Sequence, residues 1–165
     1  MANTYTLIEA KTISTAVANI TFSSIPATYT DLKIVFSART SGSSDAFLIW
    51  FNGAAANLSS KNIQGYGSST VISGGFSGIS GGIPASSYTA NTFNNAEFYI
   101  PNYTTSNFKS ISLDSVPENN AVLTRQVLTA GLWSDTAAIT SVTIDGNGDN
   151  LVQYSTFYLY GIKNS

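Results

Sequence analysis

The segment DGNGDN places Asp145, Asn147 and Asp149 at alternate positions, which is how a calcium-binding loop of the EF-hand type begins. Such a loop also needs a bidentate Glu at its twelfth position, where this chain has Thr156, and two flanking helices that the sequence does not predict. The alternative is a hairpin turn, in which Asp-Gly and Asn-Gly pairs supply positive φ angles. We therefore predict a turn at 145–150 between two strands, with no bound metal.

Other residue types on which catalysis depends are missing or scattered. The chain has no Cys and no His, which removes the thiolate ligands and nucleophiles and the commonest general base. The glycines of 65–82 match no phosphate-binding motif, and no helix follows them. Two carboxylates could still act together in glycoside hydrolysis, but their spacing selects no pair. We predict a protein that is not an enzyme and needs no cofactor. The carboxylates considered are Glu9, Asp31, Asp45, Glu97, Asp114, Glu118 and Asp135.

The chain is short and poor in charge. Its 165 residues fit one domain, 1–165, and only 10% of them are charged, whereas about a quarter is usual for a soluble protein. The seven Lys and Arg residues are scattered singly, but binding to nucleic acid requires clusters that neutralise phosphates. A surface rich in Ser, Thr, Asn and Gly suits a protein that is covered by neighbours or that persists outside cells. We predict no nucleic-acid partner.

β-branched and aromatic residues recur with a period of two, and no stretch keeps a helical apolar pattern over several turns. The segment 31–38 alternates most clearly, and 46–51 is apolar on both faces, which predicts a central strand covered on both sides. Pro101, inside the strand-like run 96–102, predicts a sheet edge or a bulge. Eight to ten such strands predict a single antiparallel β-sandwich, most economically a jelly roll. The other predicted strands are 4–10, 16–22, 57–63, 108–114, 122–133, 139–144 and 155–162.

The Gly/Ser-rich segment 65–88 interrupts this pattern, because it holds seven of the thirteen glycines and almost no charge. A loop of that length in a compact domain is usually functional or disordered. Two interpretations stay open: an irregular loop folded back on its own domain, or an arm that packs on a neighbouring subunit. Tyr66, Phe76 and Ile79 are the candidates for such an interface.

The final predicted strand, STFYLYGI, carries rings on both faces. Phe157 and Leu159 lie on one face, and Tyr158 and Tyr160 on the other, because successive side chains alternate. The two tyrosines could be core residues with satisfied hydroxyls. They could also form an interface, since tyrosine offers a large contact area with a polar tip. We predict that Tyr158 and Tyr160 contact a second sheet or a second subunit.

Several phrases of the chain resemble small virion proteins of tailed bacteriophages, including marine, freshwater and cyanobacterial phages. The likeness covers most of the chain except 65–88. It carries no catalytic signature, so no family residue is transferred to a position here. The resemblance implies a structural virion protein, foremost a head decoration (cement) protein, and such proteins are often jelly rolls assembled as trimers over the capsid lattice. The phrases are MANTYTLIEAKTISTAV, ITFSSIPATYTDLKI, NTFNNAEFYIPNYTTSNFKSISLD, LTAGLWSDTAAITSVTI and STFYLYGIKNS.

The resemblance also implies the partners and the location. The expected partners are the major capsid protein and the chain itself as a homotrimer, and the expected location is the capsid surface. The N-terminal stretch lacks the basic start and continuous apolar run of a signal peptide, and no segment is long enough to span a membrane. We therefore expect synthesis in the host cytoplasm and no membrane partner. The expected subunit or capsid interface contains Tyr66, Phe76, Ile79, Tyr158 and Tyr160.

A tail or head-fibre module that recognises a host-surface glycan or receptor is the alternative. Sugar binding would need exposed rings beside polar side chains, which the loop 63–69 or Trp133 with Asp135 could supply. A fibre protein usually adds an N-terminal attachment segment or a repeated shaft. Because MANTYTLIEA already predicts a strand, the head is favoured.

Overall fold

A computed structural model describes residues 4–67, 69–76, 78–118 and 125–163, with the backbone alone for 70–76. The described chain is all-β: twelve strands form two antiparallel sheets, which confirms the predicted β-sandwich. Over these ranges no helix has the length and apolar character needed to cross a membrane. The strands are β1 (Tyr5–Thr12), β2 (Asn19–Phe22), β3 (Asp31–Ser37), β4 (Ala46–Phe51), β5 (Leu58–Tyr66), β6 (Ser69–Phe76), β7 (Ile79–Gly82), β8 (Asn95–Ile100), β9 (Lys109–Val116), β10 (Arg125–Trp133), β11 (Val142–Asp145) and β12 (Thr156–Ile162).

The two sheets differ in size. The larger has eight strands in the order β1-β12-β3-β8-β9-β10-β5-β6, and the smaller has four in the order β2-β11-β4-β7. The first strand thus pairs with the last, and the second with the last but one. Two sequence-adjacent pairs, β5 with β6 and β9 with β10, extend the larger sheet beyond the width of the smaller one.

The core lies between the sheets and is rich in aromatic rings. Phe36 of β3 stacks on Phe157 of β12, with ring centroids 5.3 Å apart, and meets Phe47 of the opposite sheet edge-on at 4.9 Å. All three side chains are buried, and rings of this size contribute more buried apolar area than other core residues. The alternation predicted for 31–38 is confirmed, since Leu32, Ile34, Phe36 and Ala38 are all buried.

Two strand predictions need correction. The strand β4 is central in its sheet, but only Phe47, Ile49 and Phe51 are fully buried, while the alternate residues Leu48 and Trp50 stay partly exposed. The prediction that both faces are covered is therefore wrong, because the second sheet packs on one face only.

The prediction of an edge or bulge at Pro101 is also wrong. The strand β8 lies inside the larger sheet, between β3 and β9, and it ends at Ile100. Pro101 begins the turn that follows, where the missing N–H removes no ladder bond.

Most of the segment 65–88 forms strands, so the interpretation as an irregular loop is wrong, while its packing on a neighbouring subunit stays a prediction. It completes β5 and contains β6 and β7, which belong to different sheets. Glycine is required in β7 because the sheets approach closely there: a Cβ at Gly81 would lie 2.7 Å from Leu113 Cδ2 of the opposite sheet, and 2.5 Å from the ring of Phe47 in the neighbouring strand β4. Apolar and β-branched residues between the glycines supply the strand propensity.

Candidate interaction surface

The side of the larger sheet that points away from the core carries exposed apolar residues, and we call it the outer face. The alternation of strand side chains sends Val127 and Thr129 of β10 into the core and Leu128 outward. Leu128 is 47% exposed and lies opposite Ile63 of β5, which is 50% exposed. Soluble proteins rarely expose contiguous large apolar patches without a function. The exposed apolar residues of the outer face are Tyr5, Leu7, Ile63, Leu128 and Tyr158.

An open groove of about 800 Å³ crosses the outer face over β8, β9, β10 and β5. Where β9 crosses the groove, its outward side chains are the small Ser110 and Ser112, and Ser112 lies between Tyr99 of β8 and Ala130 of β10 in the strand register. Larger side chains on the strands to either side of β9 form the walls of the groove, so the sheet surface is concave there. The principal lining residues are Lys61, Ile63, Tyr99, Pro101, Leu128 and Ala130. Such a groove fits an apolar segment or loop of a binding partner.

Charged residues occupy the outer face beside the groove. Lys33 Nζ lies 2.8 Å from Glu97 Oε2, and the register places Glu97 of β8 directly opposite Asp114 of β9. Asp114 Oδ1 is buried and has no hydrogen-bond partner among the described residues. No three acidic side chains gather in the described ranges to hold a metal. The spacing of these carboxylates gave no sign of this pair, because only strand pairing brings them together.

Tyr99 is fixed in the groove wall by a short hydrogen bond. Its hydroxyl donates to Asp31 Oδ2 at 2.5 Å, and Asp31 Oδ1 accepts the backbone N–H of Asn102 at 2.8 Å. The bond to Asp31, together with burial and the negative charges of Asp31 and ionised Tyr5, raises the pKa of Tyr99 from its ordinary value of 10.0 to about 12. The hydroxyl therefore stays protonated and bound in neutral solution.

We expect the pKa of Tyr99 to make stability depend on alkaline pH. The folded state holds its proton more tightly than the unfolded chain, so the stabilisation is complete below pH 10 and is lost as the pH rises to about 12. The loss is at most about 2.5 kcal/mol. Urea unfolding of the wild type and of Tyr99→Phe between pH 9 and 12 measures it. The difference between the two proteins should shrink over that range, and a constant difference would contradict the assigned pKa.

The predicted turn at 145–150 exists, but it is not a hairpin. The strand β11 pairs with β2 and β4, whereas β12 pairs with β1 and β3, so the segment connects the two sheets. Positive φ occurs at Asn147 and Gly148. Asp149 Oδ2 accepts the backbone N–H of Ser44 at 2.6 Å, and Asp145 Oδ1 accepts that of Asn147 at 2.8 Å. These carboxylates hold loops together.

The five predicted interface residues do not form one surface. Tyr158 and the half-buried Tyr160 lie together on the outer face, at the β1 end of the sheet. Tyr66 is exposed at the end of β5, near the opposite edge. Ile79 is 0% exposed and packs in the core, so its assignment to an interface is wrong: β7 is a core strand and not part of an arm. The side chain of Phe76 lies outside the described residues.

Trp133 cannot stack on a sugar, which corrects the site considered for a glycan. Its ring is 4% exposed, because its position in β10 points into the core, and it lies 5.4 Å from the ring of Phe51. The buried Lys109 places its Nζ 5.1 Å from the same ring and donates to the carbonyl oxygens of Asp135 and Ala137. Burial lowers the pKa of Lys109, while the charge of Asp135 opposes that effect. This cluster anchors a loop.

The sequence interpretation missed the most exposed apolar residues of the outer face. Period-two alternation within 122–133 and 57–63 would have separated Leu128 and Ile63 from the core positions. No local pattern in the sequence indicates that Tyr5 and Leu7 are exposed, because their exposure depends on β1 being an edge strand.

No protein-family model matches the chain, and the search of the curated proteins found no match.

Proposed function

We propose that this chain is a non-enzymatic structural protein of a phage virion, a head decoration (cement) protein that binds the capsid lattice through its outer face. The observation that carries the proposal is the outer face, which among the described residues has exposed apolar side chains and a groove of about 800 Å³. Exposed apolar area of this kind marks sites of protein association. The resemblance of several phrases to phage virion proteins is the reason for proposing the capsid lattice as the partner.

The strand order supports the jelly-roll part of the proposal. In a jelly roll of eight strands, one sheet pairs the first, last, third and sixth strands, and the other pairs the second, seventh, fourth and fifth. The orders β1-β12-β3-β8 and β2-β11-β4-β7 correspond to these sheets if β5 with β6 and β9 with β10 are inserted pairs. The inserted strands carry most of the groove lining.

The low content of charged residues supports binding that depends little on ion pairs. Only 10% of the residues are charged, and on the outer face Lys33 and Glu97 already pair with each other, so affinity comes mainly from apolar contacts and hydrogen bonds. Such binding depends weakly on salt, because screening acts mainly on exposed charges. A protein that binds the assembled lattice stabilises it by mass action. A homotrimer, with Tyr158 and Tyr160 at the subunit contact, belongs to the same proposal.

Rebinding to capsids tests the role of the outer face. We expect purified wild-type protein to bind particles produced without it, and Ile63→Asp/Leu128→Asp to bind at least about tenfold more weakly, since two charges would be desolvated in an apolar contact. Cosedimentation across a concentration series measures the affinity in 0.1 M and 1 M salt.

Tyr154→Asp is the matched control. Tyr154 is a strongly exposed ring in the connection before β12, outside the larger sheet, so this variant should bind like the wild type. Circular dichroism and thermal unfolding establish that both variants fold. Equal binding by the double variant would remove the outer face from the proposal, and absence of wild-type binding would contradict the cement role.

A further inference from the structure

The two sheets have four edge strands: β1 and β6 in the larger sheet, and β2 and β7 in the smaller. An edge strand presents unpaired N–H and C=O groups that can pair with another chain. Proteins usually protect such edges with short strands, bulges, prolines or inward-pointing charges.

Three of the edges are protected. The strands β2 and β7 have four residues each, which leaves few backbone groups to pair. The strand β1 has an irregular register between Leu7 and Glu9. It also carries an ion pair of 2.7 Å between Glu9 and Lys11, and Lys11 lies on the core side, with its Nζ 5.7 Å from the ring centroid of Phe22.

The fourth edge, β6, has none of these protections over most of its length. Its sequence STVISGGF contains no charge and no proline, and it extends over eight residues. The five residues Ser69–Ser73 keep a regular register with β5, and the only irregularity falls at the Gly74–Gly75 end. No strand pairs with the outer side of β6 within the described part of the chain.

We propose that β6 pairs antiparallel with β6 of a second copy of this chain, which joins two larger sheets across a two-fold axis. A neutral strand can face itself without opposing like charges, and the net charge of −2 produces little repulsion between copies. Antiparallel self-pairing is isologous, so it closes after two copies and does not extend into a fibre. The inference is independent of the capsid proposal.

The register identifies the backbone groups that form the contact. Tyr66 pairs with Ser69, so two residues connect β5 to β6, and in such hairpins the flanking pair exchanges both ladder bonds. Because bonded and non-bonded pairs alternate, Thr70 and Ile72 direct their N–H and C=O away from β5. A proline at either position leaves the β5 ladder intact and removes a donor from the free edge.

Mass measurement of two proline variants tests the pairing. We expect light scattering at micromolar concentration to give an even number of wild-type chains, two or, if trimers also form, six. Thr70→Pro and Ile72→Pro should each halve that number, while Ile72→Val, which keeps the N–H, should not change it. Circular dichroism checks that the variants fold. An odd wild-type number, or an unchanged mass in both folded proline variants, overturns the proposal.

Cysteine crosslinking gives a second readout that does not depend on proline. The chain has no Cys, so single cysteines at positions 69–73 report only on contacts between copies. Two-fold pairing brings one of these positions close to its own symmetry mate, within the Cα separation of about 4.4–6.8 Å that a disulfide requires. Mild oxidation should yield a covalent dimer at that position. Absence of a dimer at all five positions overturns the proposal.

Discussion

Phe36→Ala should lower the free energy of unfolding by about 4 kcal/mol, because the change removes a buried ring and leaves a cavity. Phe36 is 2% exposed and contacts Phe157 in its own sheet and Phe47 in the opposite one, so its loss weakens the packing between the sheets. Urea denaturation followed by tryptophan fluorescence measures the effect.

Phe108→Ala is the control for that prediction, since it makes the same chemical change at a ring that is mostly exposed. We expect it to change the free energy of unfolding by less than about 1 kcal/mol. Similar effects for the two variants would contradict the position of Phe36 at the centre of the core.

Asn94→Ala should destabilise the fold by about 3 kcal/mol, although the residue is polar. Asn94 is buried; its Oδ1 accepts the N–H of Ala38 at 2.8 Å, and its Nδ2 donates to the carbonyl of Gly82 in β7 at 2.9 Å. The side chain thus connects the end of β3 to the smaller sheet. Its removal leaves a backbone donor and a backbone acceptor buried without partners, each at about 1–3 kcal/mol.

Asn95→Ala provides the comparison, because Asn95 is the adjacent residue and is exposed. It should alter the midpoint of thermal unfolding by about 1 °C or less, whereas Asn94→Ala should lower it by about 8 °C or more. Equal midpoints for the two variants would show that the bonds of Asn94 do not hold the sheets together.

The fold class could be predicted because the alternation of apolar and polar residues along a strand is a local feature of the sequence. The run 31–38 gave its buried positions correctly, since Leu32, Ile34 and Phe36 follow the two-residue period of a strand that faces a core on one side. The many glycines of 65–88 predict a loop, whereas the structure has strands there. A glycine in β7 reflects the close approach of Phe47, a tertiary contact that no local pattern reveals.

The candidate surface was less predictable because it depends on which strands are neighbours. The groove needs Ile63, Tyr99 and Leu128 on one face of one sheet, and these residues come from strands far apart in the chain. The prediction that the ring of Trp133 is exposed is wrong for a related reason. Alternate residues of β10 point to opposite faces, and the sequence does not say which set faces the core until the orientation of one residue of the strand is known.

The copy number of this protein in purified phage particles tests the proposed function most directly. Quantitative mass spectrometry, with the major capsid protein as internal standard, should be performed on particles washed at low salt and at 1 M salt. The cement role predicts hundreds of copies per particle, retained in both washes because the contacts are mainly apolar. A few to a few dozen copies would indicate a tail or fibre position, and complete absence from the particles would contradict a virion role altogether.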